Sequence, residues 1–197
     1  MLRISGGEWR GRRLKTPSGD AVRPTQEKVR EAVFSMLQND IPGADVLDLY
    51  SGSGSLGLEA LSRGAARATF VDCDRRHLAV LKENATVLGA AGRCEFACAD
   101  AEKWVASAGK GRAFKAVFAD PPYALGARRR FAGLLALLAE SGCAGEGCVF
   151  TAEMKSEQTP DEAPGWTLCR DRAYGHTRIA VYVKDRAAPG IIQPAVS

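Results

Sequence analysis

Apolar residues recur along this chain in two rhythms. Short apolar runs at 46–50, 68–71, 94–99, 116–119 and 148–152 have the length of strands buried on both faces. Each of the first four leads into a stretch whose apolar positions fall three or four apart, at about 56–63, 75–88, 101–107 and 127–140, as on a helix with one buried side. Strand and helix in alternation predict a Rossmann-like α/β domain, a mostly parallel sheet covered by helices on both faces. The last two runs, 166–174 and 178–183, are separated only by Gly175, His176 and Thr177. No crossover helix fits that gap, so the seven-stranded sheet is expected to finish as an antiparallel hairpin.

Ahead of the periodic region, residues 1–16 alternate loosely around Gly6, Gly7 and Gly11, which predicts a short N-terminal β-hairpin arm. Beyond Arg23-Pro24, Thr25 is suited to cap a helix that carries Val29, Ala32, Val33, Met36 and Leu37 on one face and ends at Pro42-Gly43. The expected organisation is an arm over 1–22, one α/β domain over 23–185 and a disordered tail over 186–197, where Pro189, Gly190 and Pro194 interrupt any pattern.

At 197 residues and 46% hydrophobic content, the chain can bury one full core but not two. Its N-terminus is polar and no eighteen apolar residues follow one another, so a soluble cytoplasmic protein is expected. The six cysteines, Cys73, Cys94, Cys98, Cys143, Cys148 and Cys169, include no CxxC pair and read as buried reduced thiols. With only His77 and His176 beside them, their spacing assembles no metal site. Charge adds more. Residues 1–30 hold eight basic side chains (Arg3, Arg10, Arg12, Arg13, Lys15, Arg23, Lys28 and Arg30) against Glu8, Asp20 and Glu27, a surplus of +5, while the other 167 residues sum to −1. A basic arm is the electrostatic footprint of contact with a phosphate backbone.

The segment from Asp48 to Gly57 follows the first strand and opens a helix, where open α/β sheets bind ligands. Its Gly52-x-Gly54-x-x-Gly57 also fits a dinucleotide fingerprint. Asp48 separates the two readings. A carboxylate at that strand end repels a pyrophosphate, whereas S-adenosylmethionine has no phosphate and offers an ammonium and a sulfonium. Asp72, about twenty residues beyond the glycines, can accept from ribose hydroxyls, and Asp100, after the third strand, from an adenine amino group. Asp72 or Asp74, and likewise Asp100, would alternatively serve as helix N-caps.

At the end of the fourth strand stands Asp120-Pro121-Pro122-Tyr123. The lone pair of an exocyclic base amine is delocalised into the ring, so an enzyme that methylates it must hold its N–H groups and aim the nitrogen. Asp120 supplies a carboxylate. Two prolines fix the backbone and leave the Pro121 carbonyl free as a second acceptor, and Tyr123 offers a ring on which a flipped-out base can stack. Proximity and orientation then supply much of the rate, with no metal required. Arg128-Arg129-Arg130, directly downstream, are either phosphate clamps or an exposed helix start.

With these pieces in hand, the chain resembles the bacterial family of 16S rRNA guanine-N2 methyltransferases known as RsmD. The resemblance covers about residues 1–185 and rests on Arg23-Pro24-Thr25, Val29 to Phe34, Leu47 to Ala65, Asp120 to Tyr123 and Tyr174 to Thr177. It implies S-adenosylmethionine as methyl donor and N2 of a guanine in small-subunit rRNA as acceptor. Asp48, Ser51, Gly52, Gly54, Asp72, Cys73, Asp100 and Ala101 would then line the donor, with Cys73 packing near the adenine. Asp120, Pro121, Pro122 and Tyr123 would hold the guanine amino group. Arg3, Arg10, Arg12, Arg13, Lys15, Arg23, Arg128 and Arg129 would engage RNA. The partner implied is 16S rRNA in an assembling or assembled small subunit, with no membrane and no obligate protein partner. One departure is Asp72, where the family usually carries Glu. Two other functions share parts of the pattern. A DNA adenine-N6 or cytosine-N4 methyltransferase would need a separate target-recognition domain, for which the chain has no room. A non-catalytic RNA-binding assembly factor would not need Asp48, Gly52, Gly54 and Asp120 intact.

Overall fold

The apolar runs become strands β1 (Asp45–Leu49), β2 (Arg67–Asp72), β3 (Cys94–Cys98), β4 (Phe114–Ala119), β5 (Ala144–Lys155), β6 (Trp166–Tyr174) and β7 (Thr177–Lys184). Between them lie helices α1 (Pro24–Met36), α2 (Ser55–Ser62), α3 (Arg75–Val87), α4 (Ala101–Ala106) and α5 (Ala132–Glu140). The computed structural model describes residues 2–17, 24–121 and 131–186. All seven strands join one sheet in the order β3-β2-β1-β4-β5-β7-β6. The pairs from β3 across to β5 are parallel, and β7 runs antiparallel to both β5 and β6. The expected closing hairpin is therefore present, with its second strand inserted beside β5.

Successive residues of a strand face opposite sides of a sheet, and here both sides are apolar. Val46, Phe70 and Phe118 pack with Phe34 of α1, Leu58 and Leu61 of α2 and Leu81 of α3. Leu47, Leu49, Val117 and Phe150 pack with Trp104 and Val105 of α4 and Leu135 and Leu138 of α5. From β1 the chain moves outward through β2 to β3, then returns to place β4 on the other side of β1. Connections leaving β1 and β4 thus diverge, opening a crevice at their C-terminal ends.

Several expectations change. Residues 2–14 do form an antiparallel turnback, with Arg3 bridged to Arg13 and Ile4 N–H donating to the Arg12 carbonyl at 2.9 Å. It is not an appendage, because Leu2, Ile4, Trp9 and Leu14 are buried in the same core as α1, α2 and α3. Thr25 does not cap α1. The helix already begins at Pro24, whose fixed φ and missing N–H suit a first turn, so Thr25 lies inside it. β5 starts at Ala144 rather than 148, because Ala144 pairs with Phe114 across a register shift despite the glycines between. Only Cys143 and Cys148 are buried; Cys73, Cys98 and Cys169 are exposed, being on or beside strand ends and the sheet edge that helices do not cover. Positions 127–130 of the expected last helix, and the tail from 187, lie outside the described residues. Among the described residues no helix is long and apolar enough to cross a membrane.

Candidate active site

β1 carries Asp48 to the edge of the crevice, on the face it shares with Val46. Its carboxylate is buried and accepts from the Gly57 N–H at 2.9 Å. That bond requires α2 to approach the strand closely, and a Cβ on Gly57 would come within 2.3 Å of the Phe70 ring. Immediately after β1, Tyr50 adopts φ 61, a left-handed conformation that strains a residue with a side chain and often marks functional loops. Gly54 meets Leu81, whose Cδ1 would lie 2.0 Å from a Cβ there, whereas a Cβ on Gly52 would find nothing closer than 4.0 Å. Gly52 therefore leaves open space on the crevice side of the loop. Ser51 is buried beside it with a hydroxyl that has no hydrogen-bond partner among the described residues.

Asp72 reaches over from β2 and latches this loop. One oxygen accepts from Gly52 N–H and the other from Asp74 N–H, each at 2.8 Å, while His77 Nδ1 stands 3.3 Å away. Asp72 is thus not a helix cap. Asp74 is one, accepting from Arg76 N–H at 2.8 Å at the start of α3. Asp100 caps α4 through Lys103 N–H at 3.0 Å, and it stands two residues beyond the end of β3 because that strand stops at Cys98. Ala101 is buried as the first residue of α4, and Cys73 is exposed, its carbonyl contacted by Cys98 Sγ at 3.7 Å.

Asp120 follows β4 directly, next to buried Pro121. Burial pushes its carboxyl up to about 6. Asp48 is raised well above the ordinary range, first by burial, then, against the Gly57 hydrogen bond, by the charges of Asp120 and Asp72. These three acids from three strands therefore share one field. A fourth belongs with them. Glu153 of β5 follows Ala152, the partner of Ala119, so it flanks Asp120 across the sheet. Burial, and then the Asp120 charge, pushes it up to about 8. A poorly hydrated cluster of carboxylates, with no Lys or Arg ion pair to any of them among the described residues, attracts cations and N–H donors and repels phosphate, which rules against a dinucleotide pyrophosphate. Glu153 is absent from the sequence reading, although it closes the apolar run 148–152 as Asp72 closes 68–71 and Asp120 closes 116–119.

The basic residues form a second surface. Arg3, Arg10, Arg12, Arg13 and Lys15 are exposed along the arm, whose apolar residues point inward. Glu59 of α2, fully buried, fixes the arm by accepting from Ser5 N–H, Ser5 Oγ and Gly6 N–H, each at 2.8 Å. It also pairs with Arg63 at 2.8 Å and Arg30 at 3.2 Å. Arg30 is therefore an internal clamp rather than part of the basic surface. Asn84 of α3 ties the arm to the glycine loop: its amide accepts from Lys15 N–H at 2.8 Å and donates to the carbonyls of Lys15 at 3.0 Å and Ser53 at 3.2 Å. Arg23, Pro122, Tyr123, Arg128 and Arg129 lie outside the described residues.

The sheet order, the acid-lined crevice and the glycine loop define a methyltransferase of the seven-stranded α/β class. The chain belongs to the family described as Conserved hypothetical protein 95, whose model matches residues 2–183. Ribosomal RNA small subunit methyltransferase D of Escherichia coli strain K12 is 35% identical over 186 residues, 94% of this chain and 91% of the relative. The Bacillus subtilis relative YlbH is 35% identical over 185 residues, covering 93% of this chain and 99% of the relative. The solved structure of yhhF from Escherichia coli superimposes with a TM-score of 0.82 at 33% identity, covering 94% of this chain and 99% of that one. The resemblance to the RsmD methyltransferases is therefore borne out across nearly the whole chain.

Proposed function

We propose that this chain methylates N2 of a guanine in 16S rRNA of the small ribosomal subunit, in the cytoplasm, with S-adenosylmethionine as donor. The observation that carries this reading is Asp120 at the mouth of β4, sharing one electrostatic field with Asp48 of the glycine loop. A donor and an amine held by those two groups would meet in the crevice. The donor fits the residues present: buried Asp48 suits a cationic group, Gly52 leaves open space, and the Ser51 hydroxyl has bonding capacity to spare. When bound, S-adenosylmethionine supplies a methyl group already activated by its sulfonium. Asp72 would accept from the ribose hydroxyls, and Asp100 with Ala101 and Cys73 would border the adenine. Asp120 and the Pro121 carbonyl accept the N2 hydrogens, which turns the nitrogen lone pair towards the donor. Pro122 and Tyr123 would complete the base pocket. Arg3, Arg10, Arg12, Arg13 and Lys15, together with Arg23, Arg128 and Arg129, would neutralise phosphates around the target.

The test is transfer of labelled methyl by purified protein to assembled small subunits, naked 16S rRNA and DNA, with the product nucleoside identified by mass spectrometry. N2-methylguanosine in rRNA is expected, and Asp120→Ala should lower the rate by about 10²-fold or more, the scale of lost alignment. Label in DNA alone, or full activity in Asp120→Ala, would overturn the reading.

A further inference from the structure

We infer that Glu153 reads the N1–H of the target guanine and so selects guanine over the other bases that carry an exocyclic amine. The inference rests on the guanine-N2 reading and adds a residue and a selection rule to it.

The placement comes first. β4 ends at Ala119, which pairs with Ala152, whereas β5 continues to Lys155. The β5 backbone thus runs on as a wall beside the point where β4 turns away at Asp120-Pro121. Strand alternation sets Ala152 and Met154 against the α4–α5 core and sends Glu153 to the opposite face, the one shared by Val149, Phe118 and Asp48. Thr151 lies two residues back on that face, 4% exposed, and its Oγ1 has no partner among the described residues. No described residue forms a hydrogen bond or ion pair with the Glu153 carboxylate, although Ile179 and Arg178 of β7 lie alongside. A half-buried acid without a partner beside Asp120 has no evident structural duty, since burial without compensation destabilises the fold.

The chemistry follows from the base edge. Guanine presents three donors side by side, the N1–H and the two hydrogens of N2. Asp120 and the Pro121 carbonyl account for N2, and a carboxylate on the adjacent strand is positioned for N1–H. Adenine and cytosine place a ring nitrogen lone pair next to their amine, which faces the Glu153 oxygens without a proton between them once the acid has ionised, above about pH 8. A site whose buried acceptor loses its donor discriminates strongly, because that acceptor has been desolvated for nothing. Withdrawing N1–H towards a carboxylate also returns electron density to the N1–C2–N2 unit and makes N2 more nucleophilic.

The discriminating probe is 2-aminopurine, which keeps the 2-amino group but has a lone pair at N1. The guanine methylated by the wild-type protein is mapped by mass spectrometry and replaced by 2-aminopurine in otherwise identical rRNA. Assayed above about pH 8, where Glu153 is ionised, wild-type protein should prefer guanine by about 10²-fold or more in kcat/KM, and in equilibrium binding of the RNA. In Glu153→Gln, whose amide can donate to the N1 lone pair, this preference should fall to within about tenfold, with S-adenosylhomocysteine affinity unchanged by calorimetry. Wild-type protein that binds and methylates both bases equally, or an undiminished preference in Glu153→Gln, overturns the role of Glu153 while N2-methylguanosine still appears. Failure of the wild-type protein to make N2-methylguanosine at all overturns the guanine-N2 reading and this inference with it.

Discussion

Replacing Glu59 by Gln should loosen the arm and destabilise the whole chain. The wild-type carboxylate is fully buried and serves five donors: Ser5 Oγ, Gly6 N–H and Arg63 Nε on one oxygen, Ser5 N–H and Arg30 Nε on the other. Glutamine has one acceptor oxygen and one NH₂ group. If the oxygen takes over the first three, the NH₂ confronts Ser5 N–H and the Arg30 guanidinium, leaving one neutral donor and one charge stranded in the interior. A stranded donor costs about 1–3 kcal/mol, and breaking a buried ion pair from one side about 3–5 kcal/mol. Since the donors share one acceptor group, the losses overlap, and about 3–5 kcal/mol in total is expected. For a chain of this length each kcal/mol moves the melting midpoint by about 2–4 °C, so calorimetry should record a fall of roughly 6–20 °C. Hydrogen exchange should show the arm amides, Ile4 and Leu14 among them, losing protection before the sheet does. A midpoint within about 2 °C of wild type, with arm exchange unchanged, would refute the clamp.

Two further outcomes follow from the charges. Reversing Arg10, Arg12 and Arg13 to Glu should weaken rRNA binding and flatten its salt dependence, because fewer counterions are released, while donor affinity stays near wild type by calorimetry; equal loss of both would contradict the separate roles of arm and crevice. Stability and activity should depend on pH in opposite senses. The folded values of about 6 for Asp120 and about 8 for Glu153 lie above their ordinary 3.8 and 4.5, so the stability they contribute is full below about pH 4 and is lost as pH rises through 6 and 8. Base binding needs both as acceptors, so kcat/KM should rise over that interval. Glu153→Gln should remove the upper step from both profiles and leave the lower one near 6, since burial is what raises Asp120. Profiles identical to wild type would show that the two acids do not titrate together.

Much of the crevice was legible because strand ends are marked chemically. Asp72 and Asp120 each close an apolar run, Asp48 interrupts one, and the glycines between β1 and α2 punctuate the chain unmistakably. Glu153 escaped although it closes the run 148–152, because nothing local says that β5 outlasts β4 and carries its acid alongside Asp120. The arm was recognised as basic and turned back, yet its burial was not foreseen. Four apolar residues among positions 2–14 look sparse until the turnback gathers Leu2, Ile4, Trp9 and Leu14 in one core. Glu59 was hidden within the run Leu58-Glu59-Ala60-Leu61, where a single acid on a helix of buried residues is itself a signal for an internal partner. Which partner it finds depends on how α1 packs, and local pattern carries no such information.

Asn84 gives the chain a fixed gauge. Its one amide grips Lys15 on the arm and Ser53 in the glycine loop, while Glu59 pins the arm at its other end. The span from the outward-facing arginines to the crevice is therefore a constant of the fold rather than a property of a swinging tether. On the proposed reading, an RNA seated on those arginines would present to Asp120 only the nucleotide lying one such span away. Choice of site then becomes a matter of measurement, made by a rigid body against a folded RNA, and requires no base to be read along the way.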